Sequence, residues 1–420
     1  MLVLLLASHR LWIASRHWAS EAGDWVVAFP RVPMVSLASE LVFWVDAVSL
    51  AALVASLLAV MLRRDSAISW RPMALIAISF VTLFVGNQHR LQPWAYQGWL
   101  YAILFTAAAP HAARRYMIWL AVSIYAYSAL GKFDQQFLKT VGPSLVNTLM
   151  PAGAPDDGGA AIGRWKGWIE SSVVLLPIAE LVIAGLIAFP KTRRVGGIGA
   201  ITMHISLFGI LGPLGLGHSA GVLVWNLYLA VQSWLLFVVR DGTSQQSDKG
   251  SLSSRPPSIS VFAQTLVIAA ILLPMLERLP RGELYGYWDH WLSWSLYSPH
   301  TSRVEVQVHE SALATLPDIV SKYSHRGDEN DGWMTVQIDR WSLAELAVPV
   351  YPQARFQLGV AHEIALQLDI GEDGRSSKRR AIRIKIRGVA DRRTGKRIEI
   401  WAIGTEGIAK QRDRFWLLPQ

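Results

Sequence analysis

Three polar side chains recur at helical spacing within one strongly apolar stretch. Tyr125, Ser128 and Lys132 stand at positions i, i+3 and i+7, so they share one face of a predicted helix. A lysine held partly out of water at the end of such a helix can give up its proton more readily and act as a base. The alternative is that the Lys132 ammonium reaches the surface along its aliphatic stem. We predict Lys132 and the nearby Asp134 as candidate catalytic residues.

A second polar cluster lies between two apolar runs, in the segment Asn87-Gln-His-Arg-Leu-Gln-Pro-Trp94. A plain turn would hold more Gly, Ser and Asp, whereas His89 and Arg90 suit an anionic or carbonyl-bearing ligand. The alternative is an interfacial belt that contacts lipid head groups. We predict that this segment opens on the same pocket as Lys132, through these side chains: Gln88, His89, Arg90, Gln92 and Trp94.

Single polar residues also interrupt the apolar segments, where they are costly and often functional. Glu180 and His204 lie at similar depth in consecutive segments, which favours pairing between them. Asn226 lies near the outer end of the next segment and could instead bridge two helices. With the lysine face, the predicted pocket is completed by Tyr125, Ser128, Glu180, His204 and Asn226.

The elements that must position these side chains are apolar helices. Of 420 residues, 52% are hydrophobic and 17% are charged, whereas soluble domains carry about 25% charged residues. A helix needs about 20 apolar residues to cross a membrane. Candidate spans lie at 36–62, 72–86, 95–110, 115–131, 168–190, 195–213, 220–239 and 261–277. The fold class predicted is an all-α polytopic membrane bundle of about seven to eight spans, followed by a small extracytoplasmic α+β domain.

Composition shifts divide the chain into six regions. They are an N-terminal segment interpreted as a truncated helix (1–35), a membrane helical core (36–240), a flexible cytoplasmic linker (241–260), a last transmembrane helix (261–278), an aromatic interfacial collar (279–302) and an α+β domain (303–420). The net charge of +9 comes mostly from Lys and Arg in alternate loops of the apolar part. By the positive-inside rule those loops are cytoplasmic. We therefore predict a multi-pass protein of the cytoplasmic (inner) membrane with its C-terminal domain outside.

Alternating apolar and polar residues predict strands in the last third, in the order β-α-β-α-α-β-β. Ile382, Ile384 and Ile386 would face the core of this domain. The opposite strand face would then carry a basic stripe of Arg383, Lys385 and Arg387. That stripe could bind anionic lipid or an acidic partner, or be a solvated face. Nucleic acid is not expected as a partner, because the aromatic residues of a single-strand binder are not interleaved with the basic ones.

Two classes of chemistry are disfavoured by the sequence. The chain has no cysteine, which excludes disulfides, thiolate nucleophiles and Cys-ligated metals. It also lacks an HExxH motif, a nucleotide-binding glycine loop, a GxSxG elbow and histidines at metal-ligand spacing. We therefore predict no metal site.

Two stretches carry a family resemblance. Ser128-Ala-Leu-Gly-Lys132-Phe-Asp134, followed by Pro177-Ile-Ala-Glu180-Leu and the basic turn Pro190-Lys-Thr-Arg-Arg194, resembles the DoxX/MauE membrane proteins over roughly 72–240. That group is related to the HTTM domain, the membrane part of vitamin K-dependent carboxylases. The resemblance implies a four-helix membrane core, sometimes associated with quinones or with redox-enzyme maturation. In the carboxylases a lysine is the base, and Lys132 is the nearest match. The missing cysteines depart from the thiol chemistry linked to MauE.

Three functions remain open. The first is an accessory membrane protein of DoxX/MauE type that supports redox or maturation chemistry at the outer face, through a quinone-like ligand. The second is an HTTM-carboxylase-like enzyme with Lys132 as base. The third is a membrane anchor that presents the C-terminal domain to a partner. Membrane lipid and a periplasmic or membrane protein are the partners expected.

Overall fold

In a computed structural model, the chain combines a helical bundle with one antiparallel sheet. The structure describes residues 1–13, 29–35, 39–62, 70–148, 167, 172–239, 257–279, 288–327, 331–370 and 381–414. Most of the predicted linker 241–260 therefore lies outside the described residues. The helices of the first two thirds are Leu2–Ala7, His9–Ile13, Ser39–Leu62, Trp70–Gly86, Pro93–Ala107, Pro110–Lys132, Gln135–Lys139, Val141–Asn147, Leu175–Ala188, Arg193–Leu211, Ala220–Ser233 and Pro257–Leu272.

Each predicted apolar segment contains a helix, but not every helix combines the length and the apolar composition that a span requires. Among the described residues, three stretches are long and apolar enough to cross a membrane: Phe43–Leu62, Arg193–Leu211 and Ala220–Val238. Trp70–Gly86 and Leu175–Ala188 are apolar but shorter. The helical character of the bundle is thus confirmed, whereas the predicted number of seven to eight spans is not.

Small residues bring the bundle helices into close contact. A Cβ on Gly196 would lie 2.8 Å from the backbone nitrogen of Ile187, and one on Gly197 would lie 2.5 Å from the Phe237 side chain. Glycine at these positions therefore lets helix Arg193–Leu211 approach both of its neighbours, the usual device of membrane helix packing. This packing fixes the position of His204 on the same helix.

The last third folds as an α+β domain, as the alternating pattern predicts. Its strands are β1 (Arg303–His309), β2 (Ser324–Arg326), β3 (Trp333–Val336), β4 (Ile382–Arg387) and β5 (Glu399–Ile403). They pair antiparallel in the order β2-β3-β1-β4-β5. The helices of the domain are Glu310–Leu313, Asp318–Lys322, Ile338–Leu346, Ala354–Ile370 and Gly404–Arg412.

One face of the sheet forms the core of the domain. Val306 stands opposite Ile384 in the β1–β4 register, and both are fully buried, as is Phe356 of helix Ala354–Ile370. The single helix predicted after the first strand is split into Glu310–Leu313 and Asp318–Lys322, because Pro317 cannot donate a helical backbone hydrogen bond. Strand β2 and helix Gly404–Arg412 are elements that the pattern does not predict.

The aromatic segment predicted as an interfacial collar is packed inside the protein. In its described part, 288–302, the side chains of Trp291, Trp294 and His300 are buried within the protein. Asp289 accepts backbone hydrogen bonds from Trp291 and Leu292 at 2.9 and 3.0 Å. These residues are therefore a packed connector between the bundle and the sheet domain. They do not form the lipid-facing belt that their aromatic content indicates, because Trp294 packs against Tyr96 of the bundle and Trp291 against Tyr351 of the α+β domain.

Candidate functional site

Six of the predicted pocket residues line one apolar cavity of about 110 Å³ in the helical bundle. They come from four helices and are Tyr125, Ser128, Lys132, Glu180, His204 and Asn226. The rest of the wall is largely aliphatic and aromatic, including Leu176, Met203 and Trp225. The i, i+3, i+7 spacing of Tyr125, Ser128 and Lys132 thus correctly predicts that the three side chains line one wall of a cavity.

Lys132 and Glu180 form a buried ion pair in this cavity. The Lys132 Nζ lies 2.5 Å from the Glu180 Oε2 and 2.7 Å from the Ser128 Oγ. Their side chains are only 9% and 11% exposed. Lys132 therefore does not reach the surface, and its charge is balanced inside the bundle. The expected pair between Glu180 and His204 does not form, because the Glu180 carboxylate pairs with Lys132 and both ring nitrogens of His204 have other partners.

His204 belongs instead to a neutral hydrogen-bonded chain. The Asn226 Nδ2 donates to the Val222 carbonyl at 3.0 Å, so the Asn226 Oδ1 faces the His204 Nδ1 at 3.1 Å as an acceptor. This assigns the proton to Nδ1 and leaves Nε2 to accept from the Tyr125 hydroxyl at 2.9 Å. The Ser233 Oγ lies 3.2 Å from the same hydroxyl. This chain gives both ring nitrogens of His204 a hydrogen-bond partner on the cavity wall.

The segment 87–94 does not share this cavity, which corrects the prediction of a single pocket. Arg90 is fully buried and pairs with Asp46 at 2.8 Å, while its Nη2 donates to the Trp12 carbonyl at 3.3 Å. Gln88 donates to the Pro33 carbonyl at 3.3 Å. The polar side chains of this segment therefore make contacts inside the protein, and their partners are residues distant in the sequence.

His89 joins the bundle to the α+β domain. Its Nε2 donates to the Pro349 carbonyl at 3.1 Å, and its ring lies 4.8 Å from that of Phe356. Gln92 donates to the His89 carbonyl at 2.9 Å. Burial lowers the pKa of His89 to about 4, so the ring is neutral at pH 7. The predicted ligand residue is thus a docking residue.

A second cavity of about 250 Å³ lies beside the first, and Gln92 and Trp94 line it. Trp225, Leu296 and Tyr297 line both cavities. Tyr297 also lines a groove of about 600 Å³ under the sheet domain. Its backbone φ of 59° is in the left-handed region, which is rare for a bulky residue and is associated with functional strain. Tyr297 is therefore a site residue that the sequence pattern does not indicate.

Asp134 does not face Lys132's cavity, although the two residues are neighbours in sequence. It caps the helix Gln135–Lys139 by accepting from the Phe137 amide at 2.9 Å. Its Oδ2 lies 3.7 Å from the His300 Nδ1. Asp134 is thus a helix cap beside a second polar cluster. The two candidate catalytic residues therefore lie in different sites.

That second cluster consists of Glu277, His290 and His300. One ligand atom of each lies within 4.8 Å of the others. The residues are spread over the sequence, so a search for local metal-ligand spacing does not find them. The absence of such spacing predicts no metal site, but tertiary folding assembles a set that fits one.

The predicted basic stripe lies on the open face of the sheet. The side chains alternate with buried isoleucines as expected. Arg383 pairs with Asp331 at 2.8 Å, Lys385 with Glu399 at 2.8 Å and Arg387 with Glu305 at 3.1 Å. Acidic groups therefore balance much of the stripe's positive charge. Contrary to the expectation from sequence, aromatic rings do accompany it: Arg383 lies over Trp333 and Trp401.

No protein-family model, curated protein or solved structure matches this chain significantly. The DoxX/MauE and HTTM resemblance therefore stays a prediction.

Proposed function

We propose that the chain is a multi-pass membrane protein whose bundle binds the ring of a quinone-like molecule and exchanges a proton with it. The observation that carries this proposal is the Lys132–Glu180 pair, buried at 2.5 Å in the wall of an apolar cavity. A cavity of about 150 Å³ holds a benzene-sized molecule, so a volume of about 110 Å³ suits a single ring with modest side-chain movement.

The chemistry follows from the polar groups in that wall. The Lys132 ammonium can donate a hydrogen bond to a ring oxygen, and it can pass a proton to that oxygen once a partner redox protein has reduced the ring. The Glu180 carboxylate stabilises the ammonium form that Lys132 regains when the ring is reoxidised. The Tyr125 hydroxyl, which donates to His204 on the same cavity wall, offers the ring a second and uncharged hydrogen-bonding group. The chain has no cysteine, so any thiol in the wider reaction belongs to a partner.

A second candidate is the HTTM-carboxylase-like enzyme, in which Lys132 removes a proton from substrate. Its support is the same lysine, held by Ser128 and Glu180 inside the cavity. The two candidates differ in what Lys132 does, since one uses it to bind a ring and the other to activate a substrate. A simple anchor for the C-terminal domain is less favoured, because the interior of the bundle carries this polar constellation.

Three helices that could cross a membrane support the membrane location. We further propose that the membrane is the cytoplasmic one and that the α+β domain lies outside the cytoplasm. This follows from the placement of Lys and Arg in alternate loops. Membrane lipid and a membrane or periplasmic redox protein remain the proposed partners.

The experiment that tests ring binding uses Trp225, which lines the cavity. The full chain in detergent is titrated with 1,4-naphthoquinone while tryptophan fluorescence is recorded. We expect Lys132→Met and Glu180→Gln to weaken quenching affinity by about tenfold, because each removes a charged hydrogen-bonding group from the wall. Lys139→Met, which changes an exposed lysine on the next helix, is the matched control and keeps wild-type affinity.

Equal affinity in wild type and both variants would contradict ring binding at this cavity. Unchanged binding with a loss of substrate proton exchange in Lys132→Met would favour the enzyme instead. Mass spectrometry of small molecules bound to the natively purified protein then identifies the ligand. If deletion of 281–420 alone abolishes function while Lys132→Met is silent, the anchor is favoured.

A further inference from the structure

Three potential metal ligands from separate parts of the chain meet at the junction of the bundle and the α+β domain. The His290 Nδ1 lies 2.8 Å and the His300 Nε2 lies 3.1 Å from the same oxygen, Glu277 Oε1. All three groups are largely buried, with side-chain exposures of 8% or less. Two histidines and one carboxylate in one small volume are a ligand set used for Zn²⁺ and for non-haem Fe²⁺.

Neighbouring side chains orient this set as they do in metal sites. The Ser295 Oγ donates to the Glu277 Oε2 at 2.5 Å, so the second carboxylate oxygen, Oε1, is the one directed at both histidines. On His300, the Nδ1 lies 2.7 Å from the Ser298 Oγ and 3.7 Å from the Asp134 carboxylate. A hydroxyl or carboxylate on one ring nitrogen fixes the tautomer and directs the other nitrogen at a metal.

The cluster also borders open space. His290, Ser295 and Ser298 line the groove of about 600 Å³ that runs under the sheet domain. Arg303, Glu305 and other polar groups line the same groove further out. A metal at the cluster would thus have protein ligands on one side and the groove on the other, which is the arrangement of sites that keep a coordination position open.

The Arg392 guanidinium contacts two of these groups and would compete with a metal cation for them. Its Nη2 lies 2.8 Å from the His300 Nε2 and 3.9 Å from the Glu277 Oε2. The residue belongs to the turn between β4 and β5, and its side chain is 24% exposed. A guanidinium on a long, partly exposed side chain can move outward, so metal binding would exchange one positive group for another.

We propose that Glu277, His290 and His300 bind one divalent transition-metal ion through Glu277 Oε1, His290 Nδ1 and His300 Nε2, with a remaining coordination position open to the groove. None of these three ligands lines the cavity around Lys132. The metal-site proposal therefore does not depend on quinone binding.

The test uses Co²⁺ as probe, since its visible absorption reports the ligand set. The full chain in detergent is stripped with chelator, titrated with Co²⁺ and then analysed for bound metal. We expect about one Co²⁺ per chain in the wild type, because the proposed site has a single set of ligands. His290→Gln and His300→Gln should weaken binding by more than about tenfold, since loss of a ligand exceeds the effect of losing an outer partner. His325→Gln, in the same groove but outside the cluster, should bind like the wild type.

Two further variants keep the test decisive. Glu277→Gln preserves side-chain size and should also lose Co²⁺ binding, even if a histidine variant fails to fold. Arg392→Met removes the competing cation and should bind Co²⁺ at least as tightly as the wild type. The proposal is overturned if the wild type binds no Co²⁺, if Glu277→Gln binds it equally well, or if Arg392→Met loses it. In that case the cluster is an Arg392-centred ion-pair network.

Discussion

At the scale of single residues, polar groups in the bundle are satisfied in two different ways. Lys132 and Glu180 neutralise each other as an ion pair at 2.5 Å. Tyr125, His204 and Asn226 form an uncharged chain, in which each hydrogen bond defines the direction of the next. Both solutions avoid an isolated charge in an apolar surrounding, which would be costly. They also place one charged and one uncharged hydrogen-bonding group on the same cavity.

The hydroxyl of Tyr125 is predicted to stabilise the fold through His204. Tyr125→Phe leaves the His204 Nε2 buried without its 2.9 Å partner, which should lower the free energy of unfolding by about 1–3 kcal/mol. Thermal denaturation in detergent measures the change. The matched control is Tyr116→Phe, a half-buried position on the same helix. An equal effect of both substitutions would argue against a stabilising Tyr125–His204 hydrogen bond.

His89 is predicted to make stability depend on pH. Burial lowers its pKa to about 4, below the ordinary value of about 6.5. The unfolded or undocked state therefore binds more protons between these values, so the stabilisation is complete above about pH 6.5 and falls as the pH drops toward 4. Denaturation measured at pH 7.5 and pH 5 should show a larger loss in wild type than in His89→Gln. Identical pH profiles would contradict this assignment.

At the scale of elements, close helix packing places the site residues. Helix Arg193–Leu211 carries His204 and meets its neighbours through Gly196 and Gly197. The hydroxyl and carboxyl groups of the cavity belong to different helices, so a shift of one helix would separate hydrogen-bond partners. The glycines therefore act on the site indirectly, by setting the distance between helix axes.

Gly196→Ala is predicted to destabilise the bundle. The added Cβ would lie 2.8 Å from the Ile187 backbone, and such overpacking usually costs about 1–3 kcal/mol. Gly209→Ala on the same helix is the control, because nothing lies within 4 Å of its Cβ position. That control should be neutral or slightly stabilising, since alanine favours helix over glycine. Thermal denaturation of the two variants in one detergent gives the comparison.

At the scale of the whole molecule, the connector 288–302 holds the bundle and the sheet domain together. Its Asp289 forms a buried ion pair with Arg355 of helix Ala354–Ile370 and also accepts from the Tyr351 hydroxyl. Arg355 in turn donates to the Tyr351 oxygen at 3.0 Å. From the other side, His89 contacts the same domain at Pro349. The proposed metal site and the groove both lie along this junction.

Arg355→Met is predicted to loosen the junction. It leaves Asp289 buried without its cation, and breaking a buried ion pair from one side costs about 3–5 kcal/mol. Hydrogen–deuterium exchange should rise in 288–302 and in Ala354–Ile370. The double variant Arg355→Met with Asp289→Asn removes both charges, keeps an acceptor for the Trp291 and Leu292 amides, and should recover part of the loss. Equal exchange in the single variant and the wild type would show that the pair does not hold the junction.

The absence of cysteine makes the proposed topology directly testable. Ser321→Cys lies on the exposed surface of the α+β domain, and Lys191→Cys lies in an exposed basic turn of the bundle. A membrane-impermeant maleimide added to intact cells should label the first position and not the second. Labelling of both positions, or of Lys191→Cys alone, would reverse or refute the proposed orientation.

The local features of this protein follow from the residue pattern alone. Apolar runs predict the helices, strand alternation predicts the buried face of Ile382, Ile384 and Ile386, and helical spacing places Tyr125, Ser128 and Lys132 on one face. These features depend on periodicity within one element, which the residue pattern records directly.

The pairing of polar groups, by contrast, depends on how the elements pack together. The tertiary structure pairs Lys132 with Glu180 rather than leaving the amine at the surface, and it assigns His89 and Arg90 to internal contacts. It also assembles Glu277, His290 and His300 from positions that share no motif spacing. The partners lie on different elements, and their distances depend on how those elements pack. A pattern confined to one segment of sequence carries no information about that packing.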